Sequence, residues 1–280
     1  MIGKLIVNEI IPFSNVDGSG NRCAIFLQGC NISCVYCHNP ETINHCNHCG
    51  ACVAVCSTGA LTYSDGKVIY DKNLCTGCNL CLEVCPISSS PKTKAYEVDE
   101  LVKIIKGYQP FIRGITVSGG EPTLQKDALV DLFNKVKPLG LTCYVDTNGF
   151  FKPTELFELI EATDQFLFDV KTVGDSKSLC KVSQLSCLDT LQYLLEQGKI
   201  EEVRTVLIRD FMDGKETVQK VSQILKNFPE VSYKLMKVHK IGLKEEQKRT
   251  IHDFIPSDQE VLELVQLAKD HGLKKIHYVL

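Results

Sequence analysis

Cysteine spacing limits what this chain can become more than any other feature. Cys30, Cys34 and Cys37 follow the pattern C-x3-C-x2-C. Cys46, Cys49, Cys52 and Cys56 then form a C-x2-C-x2-C-x3-C run, which Cys75, Cys78, Cys81 and Cys85 repeat, with Pro86 after the last. The two four-cysteine runs have the spacing that holds cubane iron–sulfur clusters. The first group is one thiolate short of closing a four-iron cluster. One iron would stay open, and an open iron is where a second molecule can be bound and attacked.

Fifteen cysteines in 280 residues would suit a disulfide scaffold, but such scaffolds are short, secreted and poor in core. Here 44% of the residues are hydrophobic, and few cysteines lie beyond residue 96. The opening MIGKLIVNEIIPFSNVDGSG has no basic start followed by a long apolar run, so no secretory leader is expected. No stretch approaches the roughly 20 apolar residues of a membrane span. A net charge of −3 gives no argument for nucleic acid or an anionic membrane as partner. Exposed cubanes are oxygen-labile, so the expected setting is an anoxic cytoplasm.

Residues 41–95 form a cysteine-dense island, and residues 1–40 and 96–280 read as the body it interrupts. Within the island, Ala60–Tyr63 and Val68–Tyr70 flank Ser64-Asp65-Gly66-Lys67, the signature of a hairpin with a D-G turn. Ser88 to Lys94 reads as a polar linker. So small a module has too little core to fold unaided, and its clusters would supply the missing stability. Beyond it, helical stripes alternate with short apolar runs. The stripes are Val98/Leu101/Val102/Ile105/Tyr108, Leu129/Leu132/Phe133/Val136, Leu156/Phe157/Ile160, Leu188/Leu191/Leu195, Val218/Val221/Leu225/Phe228 and Val261/Leu262/Val265/Ala268. The runs are Gly114–Val117, Leu141–Val145, Phe166–Phe168, Val203–Ile208 and Tyr233–Val238. With Ala24–Gln28 as the opening strand, this predicts an α/β fold of about six βα units, a partial TIM-like barrel short of eight strands.

Polar residues of interest fall at or just after these runs, the edge where α/β folds build their sites. They are the cysteine triad, Ser118-Gly119-Gly120-Glu121-Pro122, Asp146-Thr147-Asn148-Gly149, Asp169-Val170-Lys171, Arg204 and His239. Each has an ordinary reading as well. The triad could bind zinc, although structural zinc takes four closed ligands. The Gly-Gly-Glu and Asp-Thr-Asn-Gly segments have turn composition, and Lys171 and His239 could be plain surface or core residues. Cys23, Cys143, Cys180 and Cys187 show no ligand spacing and read as small buried hydrophobes.

Taken together, Asn21 through Cys30, Cys37-His38-Asn39-Pro40, Val117 through Pro122, Asp146 through Gly149, Asp169-Val170-Lys171 and Val238-His239 resemble the ordered motifs of radical S-adenosylmethionine enzymes. Within these they resemble the glycyl-radical-enzyme activating enzymes, and the double-cluster island points to the YjjW-type activases. The resemblance covers the chain from about residue 7 to its end. It implies a [4Fe-4S] cluster on Cys30, Cys34 and Cys37 whose fourth iron chelates S-adenosylmethionine. Reductive cleavage of that molecule would give a 5′-deoxyadenosyl radical that abstracts hydrogen from a backbone glycine Cα of a partner enzyme. Tyr36, Cys37 and His38 would lie along the adenine. Gly119 and Gly120 would allow close backbone approach, and Glu121 would accept from the methionine ammonium. Asp146 and Asp169 would hold a monovalent cation near the methionine carboxylate. Lys171, beside Val170, and Arg204 would pair with carboxylate or ribose oxygens, and His239 would contact the nucleoside.

The insert implies a bacterial-ferredoxin-like 2[4Fe-4S] domain, so three clusters in all. By the rule that the fourth cysteine ligates the other cluster, Cys46, Cys49, Cys52 and Cys85 would hold one. Cys56, Cys75, Cys78 and Cys81 would hold the other. Ser57 stands where the proline after Cys56 is usual. These clusters could relay electrons from a flavodoxin or ferredoxin, or serve only structure or docking. Two further functional readings remain at this level: a radical enzyme acting on a small molecule, and a ferredoxin-like electron carrier. The latter gives no reason for an incomplete triad beside two complete sets. The expected protein is monomeric and needs neither nucleic acid nor membrane.

Overall fold

Alternating strand and helix patterns build one nine-stranded sheet in the order β11-β10-β9-β8-β7-β6-β2-β1-β5, beside a separate two-stranded hairpin, β3-β4. The computed structural model describes residues 3–182 and 187–280. The strands are β1 (Lys4–Ser14), β2 (Arg22–Leu27), β3 (Leu61–Ser64), β4 (Lys67–Tyr70), β5 (Lys94–Glu97), β6 (Gly114–Gly119), β7 (Thr142–Thr147), β8 (Gln165–Asp169), β9 (Ile200–Leu207), β10 (Ser232–Lys237) and β11 (Ile276–Val279). The helices are α1 (Leu80–Glu83), α2 (Val98–Tyr108), α3 (Lys126–Val136), α4 (Phe157–Ala162), α5 (Lys177–Cys180), α6 (Leu188–Glu196), α7 (Gly214–Leu225), α8 (Glu245–Thr250) and α9 (Asp258–Asp270).

From β2 through β6, β7, β8, β9 and β10 to β11 all neighbours are parallel. The six expected strands stand in their expected order within this open, barrel-like run. Three strands go beyond the sequence reading. β11 extends the parallel run, while β1 pairs antiparallel with both β2 and β5. The helical stripes are the faces laid on the sheet: Leu129, Leu132, Phe133 and Val136 of α3 are all fully buried. Caps fix where helices begin, as Asp213 and Ser257 accept from the backbone of Glu216 and Glu260 to open α7 and α9. Among the described residues no helix is long and apolar enough to cross a membrane.

The loop between β1 and β2 lies against inward-facing residues of the sheet. Val16 O accepts from Arg204 and Asp17 O from Thr116. Beneath it Arg22, 1% exposed, donates to Thr116 Oγ1, Thr142 Oγ1 and the carbonyls of Ile115 and Thr142, and stacks on Tyr144. A buried guanidinium without a carboxylate is held there by these acceptors.

Residues 45–88 leave this body and return at one point. Asn44 forms a parallel bridge with Ser89, and its N–H donates to Ser88 O. The expected polar linker is therefore part of a joint: Ser89 and Ser90 are 1% exposed. Residues 94–97 already belong to the large sheet as β5. Within the excursion, β3 and β4 close through Asp65 and Gly66, whose φ values of 50° and 76° suit the primed turn of a two-residue hairpin.

Candidate active site

The triad loop follows β2 and is pinned from two sides. Gly29 N donates to Thr42 O and Cys30 N to Ile43 O; opposite them, Ser33 N donates to Cys180 O and Val35 N to Leu179 O. Cys34 is buried, Cys30 and Cys37 partly so. Burial pushes the Cys30 and Cys37 thiols up to about 12, a cost that a bound cation reverses when it takes them as thiolates.

The three cysteines open into one cavity that encloses about 840 Å³ of atom-free space, counted to its open mouth. Tyr36, His38, Gly119, Gly120, Asp146, Asp169, Lys171 and Arg204 line the same space. Parallel register explains the convergence. Leu27 stands beside Gly119, Asp146 beside Leu167 and Asp169 beside Arg204, so adjacent strands end together at the triad loop. Gly119 has φ +109°, and a Cβ on Gly120 would come 2.0 Å from Gly29 O. These glycines let β6 end against the turn that carries the triad.

Charge in the cavity is arranged in pairs. Lys171 Nζ lies 2.6 Å from Asp169 Oδ2, and Arg204 Nη1 lies 3.4 Å from Asp146 Oδ2. Arg204 Nε also donates to Glu202 at 2.7 Å, and Ser118 Oγ donates to Asp146 at 3.0 Å. Burial lifts the Asp146 carboxyl to about 6 against the pull of Arg204. Burial alone would lower Lys171, but Asp169 together with Tyr36 and Cys34 outweighs it and holds the ammonium well above its ordinary range. Both carboxylates thus carry a protein cation, while Asp169 Oδ1 keeps no partner.

Three of the expected site residues are not on the cavity wall. Glu121 does not line the cavity; its Oε1 accepts from the Thr123 backbone and hydroxyl and from Thr147 Oγ1, and its Oε2 from Asn148 N. It pins the Asp146–Asn148 loop. Val170 is fully buried in the core, with its N–H donating to Arg204 O. His239 stands one layer back: its ring stacks on that of His38 with centroids 4.1 Å apart. Burial, then the neighbouring His239, pushes His38 down to about 4, so it stays neutral. Residues the sequence reading did not single out for the site include Ile32, Asn39, Val206 and Met236 on the cavity wall. Apolar side chains there carry no local signal; only the register places them. Cys23, Cys143, Cys180 and Cys187 are all buried, as expected, and Cys180 Sγ lies 3.9 Å from Cys34 Sγ.

In the insert, Cys46, Cys49, Cys52 and Cys85 line one cavity of about 300 Å³, and Cys56, Cys75 and Cys78 line a second of about 350 Å³; Cys81 touches both. Backbone amides of His48, Gly77 and Ser89 point at the sulfurs of Cys46, Cys75 and Cys85, each at 3.4 Å. The Tyr70 hydroxyl and the Gly77 amide hold the Cys75 thiol below its ordinary value. Among the described residues no three His, Cys, Asp or Glu are gathered tightly enough for a single metal ion.

The donor chemistry fits an iron–sulfur cluster with S-adenosylmethionine. One loop offers three thiols and the cavity wall no fourth, and two of its residues keep a buried polar atom without a partner, Tyr36 OH and Asp169 Oδ1. Comparison with known proteins agrees. Residues 24–255 match the radical SAM superfamily model, so the chain belongs to that superfamily. A Haemophilus influenzae protein provisionally named a glycyl-radical enzyme activating enzyme is 36% identical over 98% of this chain and 96% of its own length. The choline trimethylamine-lyase activating enzyme of Oleidesulfovibrio alaskensis is 30% identical over 86% of this chain and 85% of its own. SuiB of Streptococcus suis, bound to its precursor peptide SuiA, shares the fold with a TM-score of 0.57 at 11% identity, over 90% of this chain and 46% of that one. Within the superfamily, the chain is a member of the glycyl-radical enzyme activating enzymes.

Proposed function

We propose that this protein makes a glycyl radical on a partner enzyme by taking a hydrogen atom from a backbone glycine Cα. The observation that carries this is the meeting of three thiols with Gly119, Gly120, Asp169, Lys171 and Arg204 in one open cavity. Cys30, Cys34 and Cys37 would hold a [4Fe-4S] cluster. Held there, the cluster would supply the single electron for reductive cleavage of S-adenosylmethionine, the chemistry from which hydrogen abstraction at the glycine would follow. The chain's own residues bind and orient. Lys171 and Arg204 present positive charge to carboxylate and ribose oxygens. Tyr36 and His38 form the wall for the adenine, with His239 stacked behind His38. Asp169 Oδ1, the oxygen left without a partner, is the atom open to a monovalent cation.

The insert is read as a ferredoxin-like double-cluster domain, with Cys46, Cys49, Cys52 and Cys85 on one cluster and Cys56, Cys75, Cys78 and Cys81 on the other. The two thiol-lined cavities support this exchange of the fourth ligand. It also supports placement in the double-cluster subgroup, and an electron donor of flavodoxin or ferredoxin type in an oxygen-free cytoplasm. The test is anaerobic incubation of the reconstituted, reduced protein with S-adenosylmethionine and candidate glycyl radical enzymes. A glycyl doublet in the electron paramagnetic resonance spectrum is expected with one of them. Cleavage of S-adenosylmethionine without a protein radical on any candidate, but with turnover of a small molecule, would overturn it.

A further inference from the structure

Residues 239–247, which leave the end of β10 and enter α8, touch both cysteine-bearing loops. On the triad side, His239 stacks on His38. Gly242, at φ +82°, lies so close that a Cβ would come 2.6 Å from His38 O. Gln247 Nε2 donates to the carbonyls of Val35 at 3.2 Å and Cys37 at 3.4 Å. On the insert side, Lys244 Nζ donates to Cys85 O at 3.0 Å and Ser88 Oγ at 3.4 Å. Glu245 N donates to Glu83 Oε1 at 2.8 Å. Lys244 N donates in turn to Gln247 Oε1 at 3.0 Å, so the two bridging residues are tied to each other.

At the joint, Asn44 and Ser89 form a single β-bridge where the two chain segments cross. A body attached at one crossing keeps freedom to swing about it. Lys244 reaches Ser88 at the joint itself and Cys85 just before it, and Glu245 reaches Glu83 in α1. The segment thus braces the joint and extends the attachment into the insert, while Gln247 holds the triad loop. These contacts end mostly on backbone carbonyls, so they do not depend on the state of the cysteine sulfurs.

We propose that this segment is a clamp that fixes the Cys85 turn of the insert against the Cys30–Cys37 loop, with Lys244 and Gln247 as positioning residues for electron passage between them. The proposal rests on the reading that both loops hold clusters. Electron passage depends on a fixed separation, and a loop free to swing would spend much of its time too far away. The clamp therefore accounts for a relay in a way that a free-hanging insert would not.

The test compares the anaerobically reconstituted protein with a Lys244→Met, Gln247→Leu double variant and with Lys244→Arg, which keeps a donor for Cys85 O. Amide hydrogen exchange is read at residues 35–38 and 83–88. Magnetic coupling between the reduced triad cluster and the insert clusters is read by electron paramagnetic resonance relaxation. In the double variant, exchange in both loops is expected to rise about tenfold, the order that losing one or two net hydrogen bonds gives to a local opening, and the magnetic coupling to weaken. Lys244→Arg should stay near the parent protein on both readings. Exchange and coupling in the double variant equal to the parent's would overturn the clamp. Should the double variant fail to hold iron, Gln247→Leu alone must still raise exchange in both loops, or the clamp is refuted. Failure of the functional reading looks different: the parent protein itself would then cleave no S-adenosylmethionine, while the exchange measurement would still judge the clamp.

Discussion

The barrel-like body and the cysteine insert use the same residue type for opposite ends. The body is held by one large apolar core that runs from Leu5 to Ala268, and its triad cysteines sit on a loop that this core already positions. The core cluster of the insert has four buried residues, Cys52, Leu61, Val68 and Cys81. Two of the four are expected cluster ligands, so on the proposed reading metal sites would replace hydrophobic burial there. A region stabilised by its own packing can leave one iron unligated for chemistry. A region that relied on clusters for its stability would have to close them. Burial is deepest at the triad, where it pushes the Cys30 and Cys37 thiols up to about 12.

The sharpest way to break that contrast is Cys34→Ala. Reductive cleavage of S-adenosylmethionine should disappear, with product formation at background, while the absorption and paramagnetic signals of the two insert clusters and the thermal melt of the body persist. Cleavage at the parent rate would show that the triad is not the reactive site. Removing iron with a chelator under reducing conditions comes next. Amide protection should collapse across residues 45–88 and stay high in α3 and β6 to β9. Equal protection in both regions, with or without iron, would remove the distinction between them. The smallest expected effect is Arg204→Ala, which leaves Asp146 and Glu202 without their shared cation in a buried site. Taking one partner from a buried ion pair costs about 3–5 kcal/mol, so denaturant unfolding of the body should weaken by that order while the insert's protection is unchanged. A loss below about 1 kcal/mol would mean that the cavity admits enough water to solvate both carboxylates.

Legibility in the sequence followed the range of the interactions. Cysteine runs are set by local spacing, and the grouping of Cys85 with Cys46, Cys49 and Cys52 around one cavity could be expected from a rule about repeats. The six parallel strands were legible because apolar runs alternate with helical stripes. β1 was missed because its burial is irregular, with a bulge in its pairing to β2. β5 was missed because Lys94-Ala95-Tyr96-Glu97 is short and mostly exposed. Glu121 shows what a motif does not announce: beside two cavity glycines, its carboxylate ties down the neighbouring loop. The clamp residues Lys244 and Gln247 carry no signal of their own, since their partners at Val35, Cys37 and Cys85 are far away in the chain.

Mössbauer spectroscopy of the iron-57-reconstituted protein, before and after adding S-adenosylmethionine, tests the central claim most directly. About 12 irons in three cubanes are expected, with one iron of one cluster shifting to a higher-coordinate site when S-adenosylmethionine is added and the insert clusters unchanged. That shift should vanish in Cys34→Ala. Spectra that stay superimposable on addition of the ligand, with every iron held by four sulfurs, would contradict the account.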